Sequence, residues 1–263
     1  MFAPERVRII KSILLDKKHI NVSDLSSMLN VSEVTIRRDL EKLEKEKFLT
    51  RTHGGAILND SPEVMEDSAN DILDDPFKSE RLEISEIAFH MIDDNDIIML
   101  TPGLTNLCIA KKILNKRYVT VLTNDLKIAD ELSANPGIKV IIPGGDLEPA
   151  SMVLYGKLTE ENIRNFFVNK AFIDVEGASF KRGFTVQSIE KASLLRETLA
   201  ITHERIIVCP SPMFERIAFF QVGPLDIANK VLTNPNVPDQ YKTYFFDNNV
   251  QLFTVFNAYK GGI

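Results

Sequence analysis

The sequence predicts an α/β protein in two parts, a small helical head and a larger body built on a parallel sheet. Three observations carry this. The first 45 residues hold three apolar stripes at helical spacing. From residue 97 onward, short and nearly continuous apolar runs alternate with helical stretches, the pattern of strands buried on both faces and joined by helices. Between the two lies Asn59 to Pro76, NDSPEVMEDSANDILDDP, with seven acids and no base, which repels itself and reads as a solvated linker. The expected division is a head at 1–58, an acidic linker at 59–75 and a body at 76–263.

The 263 residues exceed the ~100 to 200 usual for one domain. Hydrophobic content of 44% with 26% charge, 12 Pro and 12 Gly excludes a disordered, collagen-like or coiled-coil chain. No apolar run approaches the ~18 residues that a membrane span needs. The start, MFAPERVRIIKSILLDKKH, lacks the apolar core and small-residue cleavage site of a secretory leader, so a cytoplasmic location is expected. Cys108 and Cys209 sit far apart in apolar surroundings, with no CxxC and no Cys/His cluster. They read as buried thiols, and neither a metal nor a cofactor is implied. The net charge of −6 hides an asymmetry: residues 1–58 carry 11 Lys and Arg against 8 acids, and the remainder carries 20 against 29. A basic head precedes an acidic body.

In the head, Val7, Ile10, Ile13 and Leu14 form one stripe of a first helix ending near Lys17 and Lys18. Ser23 is expected to cap a short second helix with Leu25, Met28 and Leu29 inward. Asn30 and Val31 make a turn, and Ser32 caps a longer helix with Ile36, Leu40 and Leu43 inward. Phe48 to Leu58, FLTRTHGGAIL, places Gly54-Gly55 between β-tolerant runs, a hairpin signal.

Two capped helices joined by a tight turn present Glu33, Thr35, Arg37 and Arg38 outward from the second, the layout by which a recognition helix enters a DNA major groove. Arg37 or Arg38 could reach guanine O6 and N7 in bidentate fashion. Thr35 and Ser32 could bond bases or phosphate. In VSEVTIRRDLEKLEKEKFLTRTHGGAIL, Val31 to Leu58, and the helices before it, the head resembles the DeoR family of bacterial transcription regulators. The resemblance implies a winged helix-turn-helix whose wing is formed by Arg51, Thr52, His53 and Gly54, and a double-stranded DNA operator as partner. One small head reads few base pairs, so heads of this kind act in symmetric pairs. A homodimer or homotetramer held by the body is expected.

The body strands are expected at Ile97 to Leu100, Val119 to Thr123, Val140 to Ile142, Ala171 to Val175 and Ile206 to Cys209. Helical stretches are expected at Thr105 to Leu114, Leu126 to Ser133 and Gln187 to Thr202. Loops that follow strands and open helices offer unpaired N–H groups to anions. Three stand out: Thr101 to Asn106, with Gly103, Leu104 and Thr105 between; Thr123-Asn124; and Pro143 with Gly144 and Gly145. Their recurrence suggests one shared pocket.

The resemblance continues through LTN at Leu122 to Asn124, PGGDLEPASMVLYG at Pro143 to Gly156, KAF at Lys170 to Phe172 and GFT at Gly183 to Thr185. It implies a DeoR sensor domain with a fold like ribose-5-phosphate isomerase that binds a phosphorylated sugar or related metabolite. Several positions depart from the family pattern. Thr101, Pro102, Gly103, Leu104 and Thr105 stand where Asp-Ser-Gly-Thr-Thr is usual. Pro210 to Phe214 replace Asp-x-Ser-Lys-Phe, which puts Met213 at the lysine. Asp174 replaces a glycine, and Glu190 and Lys191 each compete for the place of a helix glutamate. Lys157, Arg182 and Lys191 could supply a replacement cation or could be solvated surface residues. A regulator, repressing in the sense the family implies, is the leading reading. A DNA-bound scaffold whose body only oligomerises is one alternative. A sugar-phosphate enzyme is the other, against which stands the loss of the carboxylate and lysine that would act as base.

Overall fold

The computed structural model describes residues 6, 7, 9, 10, 13, 14, 19–45, 49–52, 54–58 and 75–255. The expected linker, apart from Asp75, lies outside them. The chain separates into two compact units, residues 1–67 and 68–263.

In the first unit the described residues of helix α1, between 6 and 14, bury Ile10 and Leu14 fully and Val7 and Ile13 partly. Strand β1 (His19–Asn21) leads straight into α2 (Val22–Leu29). That junction moves the helix start one residue ahead of the expected cap: Asn21 is the N-cap position, and no side chain bonds the helix end there. Val22, Leu25 and Leu29 make the buried stripe. Met28, expected inward, is 58% exposed, because it lies roughly 90° around the helix from that stripe. Asn30 takes the left-handed conformation at φ 50°, and Ser26 Oγ donates to the Val31 carbonyl at 2.6 Å to close the turn. Helix α3 (Glu33–Lys45) follows, with Ser32 Oγ accepting from the Thr35 N–H at 3.3 Å and Ile36, Leu40 and Leu43 buried.

Strands β2 (Leu49–Arg51) and β3 (Gly55–Leu58) form the expected hairpin, and β1 adds to it in the order β1-β3-β2. The ladder closes where the Thr52 N–H donates to the Gly55 carbonyl at 2.9 Å. Gly55 therefore belongs to the strand and not to the turn. A Cβ there would stand 2.0 Å from the Ile20 carbonyl oxygen, so only glycine lets β1 pair this closely. Sequence reading misses β1, which at three residues is too short to show a period.

The second unit opens with α4 (Lys78–Met91). Strand β4 (Ile97–Leu100), α5 (Leu104–Lys112), β5 (Thr120–Leu122), α6 (Leu126–Ser133) and β6 (Lys139–Ile141) follow. A hairpin of β7 (Asp146–Glu148) and β8 (Val153–Tyr155) leads to α7 (Lys157–Ile163) and the long β9 (Val168–Asp174). Next come β10 (Gly177–Ser179), β11 (Gly183–Val186), α8 (Ile189–Ile201) and β12 (Thr202–Val208). Strands β13 (Phe220–Gly223) and β14 (Lys230–Leu232), helix α9 (Asp239–Asp247) and β15 (Gln251–Phe253) complete it. Seven strands form one sheet in the order β15-β14-β12-β9-β4-β5-β6, with every pairing parallel.

Alternate residues of each strand serve opposite faces. Ile98, Leu100, Val121, Phe172, Ile206 and Val208 pack with apolar residues of α4, α5 and α6. Met99, Leu122, Ala171, Ile173 and Ile207 pack with those of α7, α8 and α9. Strands β9 and β12 both start earlier than expected, because Lys170 and Glu204 interrupt their apolar runs. Both residues are ion-paired, Lys170 with Asp96 at 2.6 Å and Glu204 with Lys230 at 2.5 Å. From β4 the chain winds toward β6, and from β9 toward β15, so the winding reverses between β4 and β9 at the middle of the sheet. Beyond the carboxyl ends of strands at such a reversal, open α/β sheets form a ligand crevice. Among the described residues no helix is long and apolar enough to cross a membrane.

Candidate nucleic-acid interface and effector crevice

Helix α3 divides cleanly between an inward and an outward face. Ile36, Leu40 and Leu43 are buried, and Asp39 points inward to a buried pair with Arg6, whose Nε and Nη2 donate at 2.5 and 3.2 Å. This pair ties α1 to α3. Outward stand Glu33, Arg37 and Arg38, with Thr35 half-buried. Arg37 reaches back to Glu33 at 3.2 Å, both more than half-exposed or nearly so. An exposed i,i+4 pair of this kind is worth only ~0.3 to 0.5 kcal/mol, so the guanidinium is readily redirected to another acceptor. Ser32 and Thr35 bond each other at 2.9 Å and leave the first turn capped.

The hairpin stands beside this helix because Arg51 Nε pairs with Glu44 Oε2 at 2.6 Å and its N–H donates to Glu44 Oε1 at 3.1 Å. The Arg51 guanidinium holds the Glu44 carboxyl below its ordinary range. Arg51, Thr52 and Gly54 are exposed at the hairpin end; His53 lies outside the described residues. One residue on this surface escapes sequence reading. Val34 is 62% exposed on the outward face, and an apolar side chain there is suited to a thymine methyl group. A signal for it exists: it is the one apolar position of α3 that falls off the Ile36-Leu40-Leu43 stripe on the N-terminal turn.

In the second unit a crevice of about 390 Å³ lies at the reversal of the sheet. Its walls come from the loop after β4 (Pro102, Gly103, Leu104), from Asp125 and Lys127 after β5, and from Ala150, Ser151, Val153 and Tyr155 of the β7-β8 hairpin. Glu176 after β9 and Gln187, Ser188 and Lys191 at the start of α8 close it. Asp125 caps α6, accepting from the Lys127 and Ile128 N–H groups at 2.9 and 3.3 Å. Burial raises its carboxyl above the ordinary value, against the pull of the backbone N–H donors. Burial likewise raises the Tyr155 phenol, which keeps it a proton donor. Lys191, buried at 7% exposure, pairs with Glu176 at 2.8 Å.

The predicted effector residues separate into three groups, on the crevice wall, buried behind it and away from it. Gly103 and Leu104 line the crevice. Thr105, Asn106, Thr123 and Asn124 are fully buried and brace its floor. Thr105 Oγ1 accepts from Arg81 at 2.7 Å, Asn106 donates to the Thr101 and Phe172 carbonyls, each at 2.8 Å, and Asn124 donates to the Leu154 carbonyl at 2.8 Å. Gly144 and Gly145 pack on Thr159, whose hydroxyl donates to the Gly144 carbonyl at 2.8 Å. Gly156 precedes α7 with φ 97°. None of these three glycines is on the crevice wall. Glu190 is exposed, and it is Lys191 that faces inward. Met213 is 8% exposed, in a short 3-10 turn after Pro210, within the apolar cluster that also holds Phe214 and Tyr241, and it is not on the crevice walls. The lysine it replaces in the family pattern has no counterpart on these walls from that segment. Of the other cations, Lys157 has an 87% exposed side chain paired with Glu161, and Arg182 lines a separate cleft with Thr185 and Phe219.

A helix-turn-helix unit with a hairpin wing, joined to an α/β unit with a crevice at its sheet reversal, defines a one-component DNA-binding regulator. Residues 6–62 match the DeoR-like helix-turn-helix domain, and residues 77–235 match the DeoR C terminal sensor domain. The chain belongs to the DeoR family of transcriptional regulators. It is similar to the HTH-type transcriptional regulator YulB of Bacillus subtilis, with 32% identity over 89% of this chain and 90% of that one. It is similar also to the HTH-type transcriptional repressor GlcR of the same organism, with 30% identity over 95% of each. A solved ribose 5-phosphate isomerase from Methanocaldococcus jannaschii overlaps 52% of this chain and 55% of its own at 10% identity and a TM-score of 0.39.

Proposed function

We propose that this protein is a cytoplasmic repressor that binds a palindromic operator as a homodimer or homotetramer and changes its grip on DNA when a small molecule fills the crevice of the second unit. The observation that carries the reading is the outward face of α3, where Arg37, Arg38 and Val34 stand exposed above buried Ile36 and Leu40. That is a base-reading surface on a rigid support. GlcR of Bacillus subtilis is named a transcriptional repressor, which supports the sign of regulation. Ser32, Thr35, Arg51, Thr52, His53 and Gly54 serve backbone and wing contacts, and Glu33, which phosphate repels, serves a cytosine amino group instead. The crevice acts as a receptor and not as a catalytic site: Asp125 and Glu176 are engaged by backbone N–H groups and by Lys191, which keeps either carboxylate from serving as a free base.

The mechanism requires a ligand that binds one arrangement of the body better than another, since equal affinity shifts nothing. The experiment is selection of bound fragments from the protein's own genome, followed by titration of the recovered site at fixed salt. A repeated, inverted half-site is the expected outcome. Uniform binding across fragments would refute sequence-specific repression.

A further inference from the structure

In each of the loops that open α5, α6 and α8, backbone N–H groups are held by an internal side-chain oxygen. Asp174, at the end of β9 and 3% exposed, accepts from the Thr105 N–H through Oδ2 at 2.9 Å. The fit is close: a Cβ on Gly103 would stand 2.3 Å from the same carboxylate oxygen, so the first loop is wrapped on that oxygen. Asp125 takes the donors at the start of α6. Glu176 accepts from the Gln187 N–H at 2.5 Å and from Lys191 Nζ at 2.8 Å, and Ser188 Oγ accepts from the Lys191 N–H at 3.1 Å. Each of the three loops thus already holds an internal carboxylate, Asp125 and Glu176 on the walls and Asp174 against the first loop.

We infer that Asp174 is the specificity-determining residue of the crevice: its carboxylate occupies the anion position at the start of α5, so that the site rejects phosphorylated ligands and accepts one whose contacting groups are uncharged or cationic. This rests on the crevice being the effector site. An incoming phosphate dianion would have to displace Asp174 from Thr105 and then lie against three carboxylates, Asp174, Asp125 and Glu176, set against two lysines on the walls, Lys127 and the Lys191 that Glu176 already pairs, an arrangement that disfavours binding. A hydroxyl or an ammonium group meets acceptors instead, on Asp125, Glu176 and Ser188.

The test uses the full chain and inorganic phosphate, with chloride at matched ionic strength as the control. The midpoint of thermal unfolding of the second unit should be unchanged by about 10 mM phosphate in the wild type, and should rise by about 2 to 4 °C in Asp174→Gly, which frees the Thr105 N–H. Asp174→Ala also removes the oxygen that Thr105 holds and keeps a Cβ in the strand, and it decides the matter if the glycine variant does not fold; it too should gain a phosphate-dependent rise. A wild-type rise equal to that of the variants, or no rise in either variant, overturns the inference. The phosphate titration contains no DNA, so it judges the role of Asp174 alone; a separate titration of operator that proved indifferent to any ligand bound in the crevice would refute the effector reading and leave that role standing.

Discussion

Arg37 and Arg38 follow Ile36 directly in the sequence, yet both are exposed while Ile36 is fully buried. Replacing both with alanine should therefore leave folding intact. Specific operator binding should fall by ~1 to 3 kcal/mol for each base contact removed, and the salt slope by about one for each phosphate that the variant no longer neutralises. Fluorescence anisotropy at several salt concentrations measures both. Val34→Ala should cost little stability and relax preference at one base pair only. Met213 illustrates what a single residue's place in a motif cannot say. Its alignment with a lysine suggests a cradle that Met213→Lys would restore, but the side chain is buried in the apolar cluster that also holds Phe214 and Tyr241. The substitution should instead bury an unpaired charge at a cost of ~3 to 5 kcal/mol, read as a fall in the second unit's unfolding midpoint. Asp125 gives a pH prediction. Burial raises its carboxyl above the ordinary value of 3.8, so the folded state favours the protonated form. The stability this contributes is fully present below that value and lost as pH rises through the raised one. The midpoint of Asp125→Asn minus that of the wild type should grow as pH rises from about 4 to 7; a difference that shrinks would mean that the α6 N-terminus stabilises the charge.

Among the secondary-structure elements, those legible in the sequence have a period or a cap. The stripe of α3 and its Ser32 cap are readable, as are Ile97–Leu100 and Leu126–Ser133, where the apolar runs have clear stops. Strands β7, β8, β10 and β13 to β15 are not: DLE, VLY, GAS, FQVG, KVL and QLF carry neither a continuous apolar run with clear stops, as IIML of β4 does, nor a measurable alternation. The crevice is half legible. Strand-end glycines identify the β4 loop, but the walls from the β7-β8 hairpin and from Lys191 depend on tertiary placement. The reassignment of Gly55 from turn to strand shows why: its need for glycine comes from Ile20 in a distant segment and not from local turn chemistry. Gly55→Ala should destabilise the first unit by ~1 to 3 kcal/mol through forced separation of β1 from β3. Ser32→Ala should cost ~0.5 to 2 kcal/mol through loss of the cap. Urea titration of the full chain, followed through the first unit's transition, distinguishes these from Gly54→Ala, where a Cβ meets open space.

Across the full chain, the two units divide the work of reading DNA and of receiving a signal, and the asymmetry of charge in the sequence already separates them. A fragment from about residue 76 onward should be at least dimeric by sedimentation, and a head fragment should bind operator poorly because it lacks the effective concentration that a tethered pair provides. Both follow from the reach of one small head. The regulation proposed above depends on one coupling, between occupancy of the crevice and grip on the operator. It is read out by the operator affinity of the full chain with and without a small molecule shown by calorimetry to bind it, repeated in Ala150→Trp, which fills the crevice. Coupling of ~5 to 150-fold is expected in the wild type, with none in the filled variant and with its ligand-free affinity unchanged. A molecule that binds in the crevice and leaves operator affinity the same would refute the coupling.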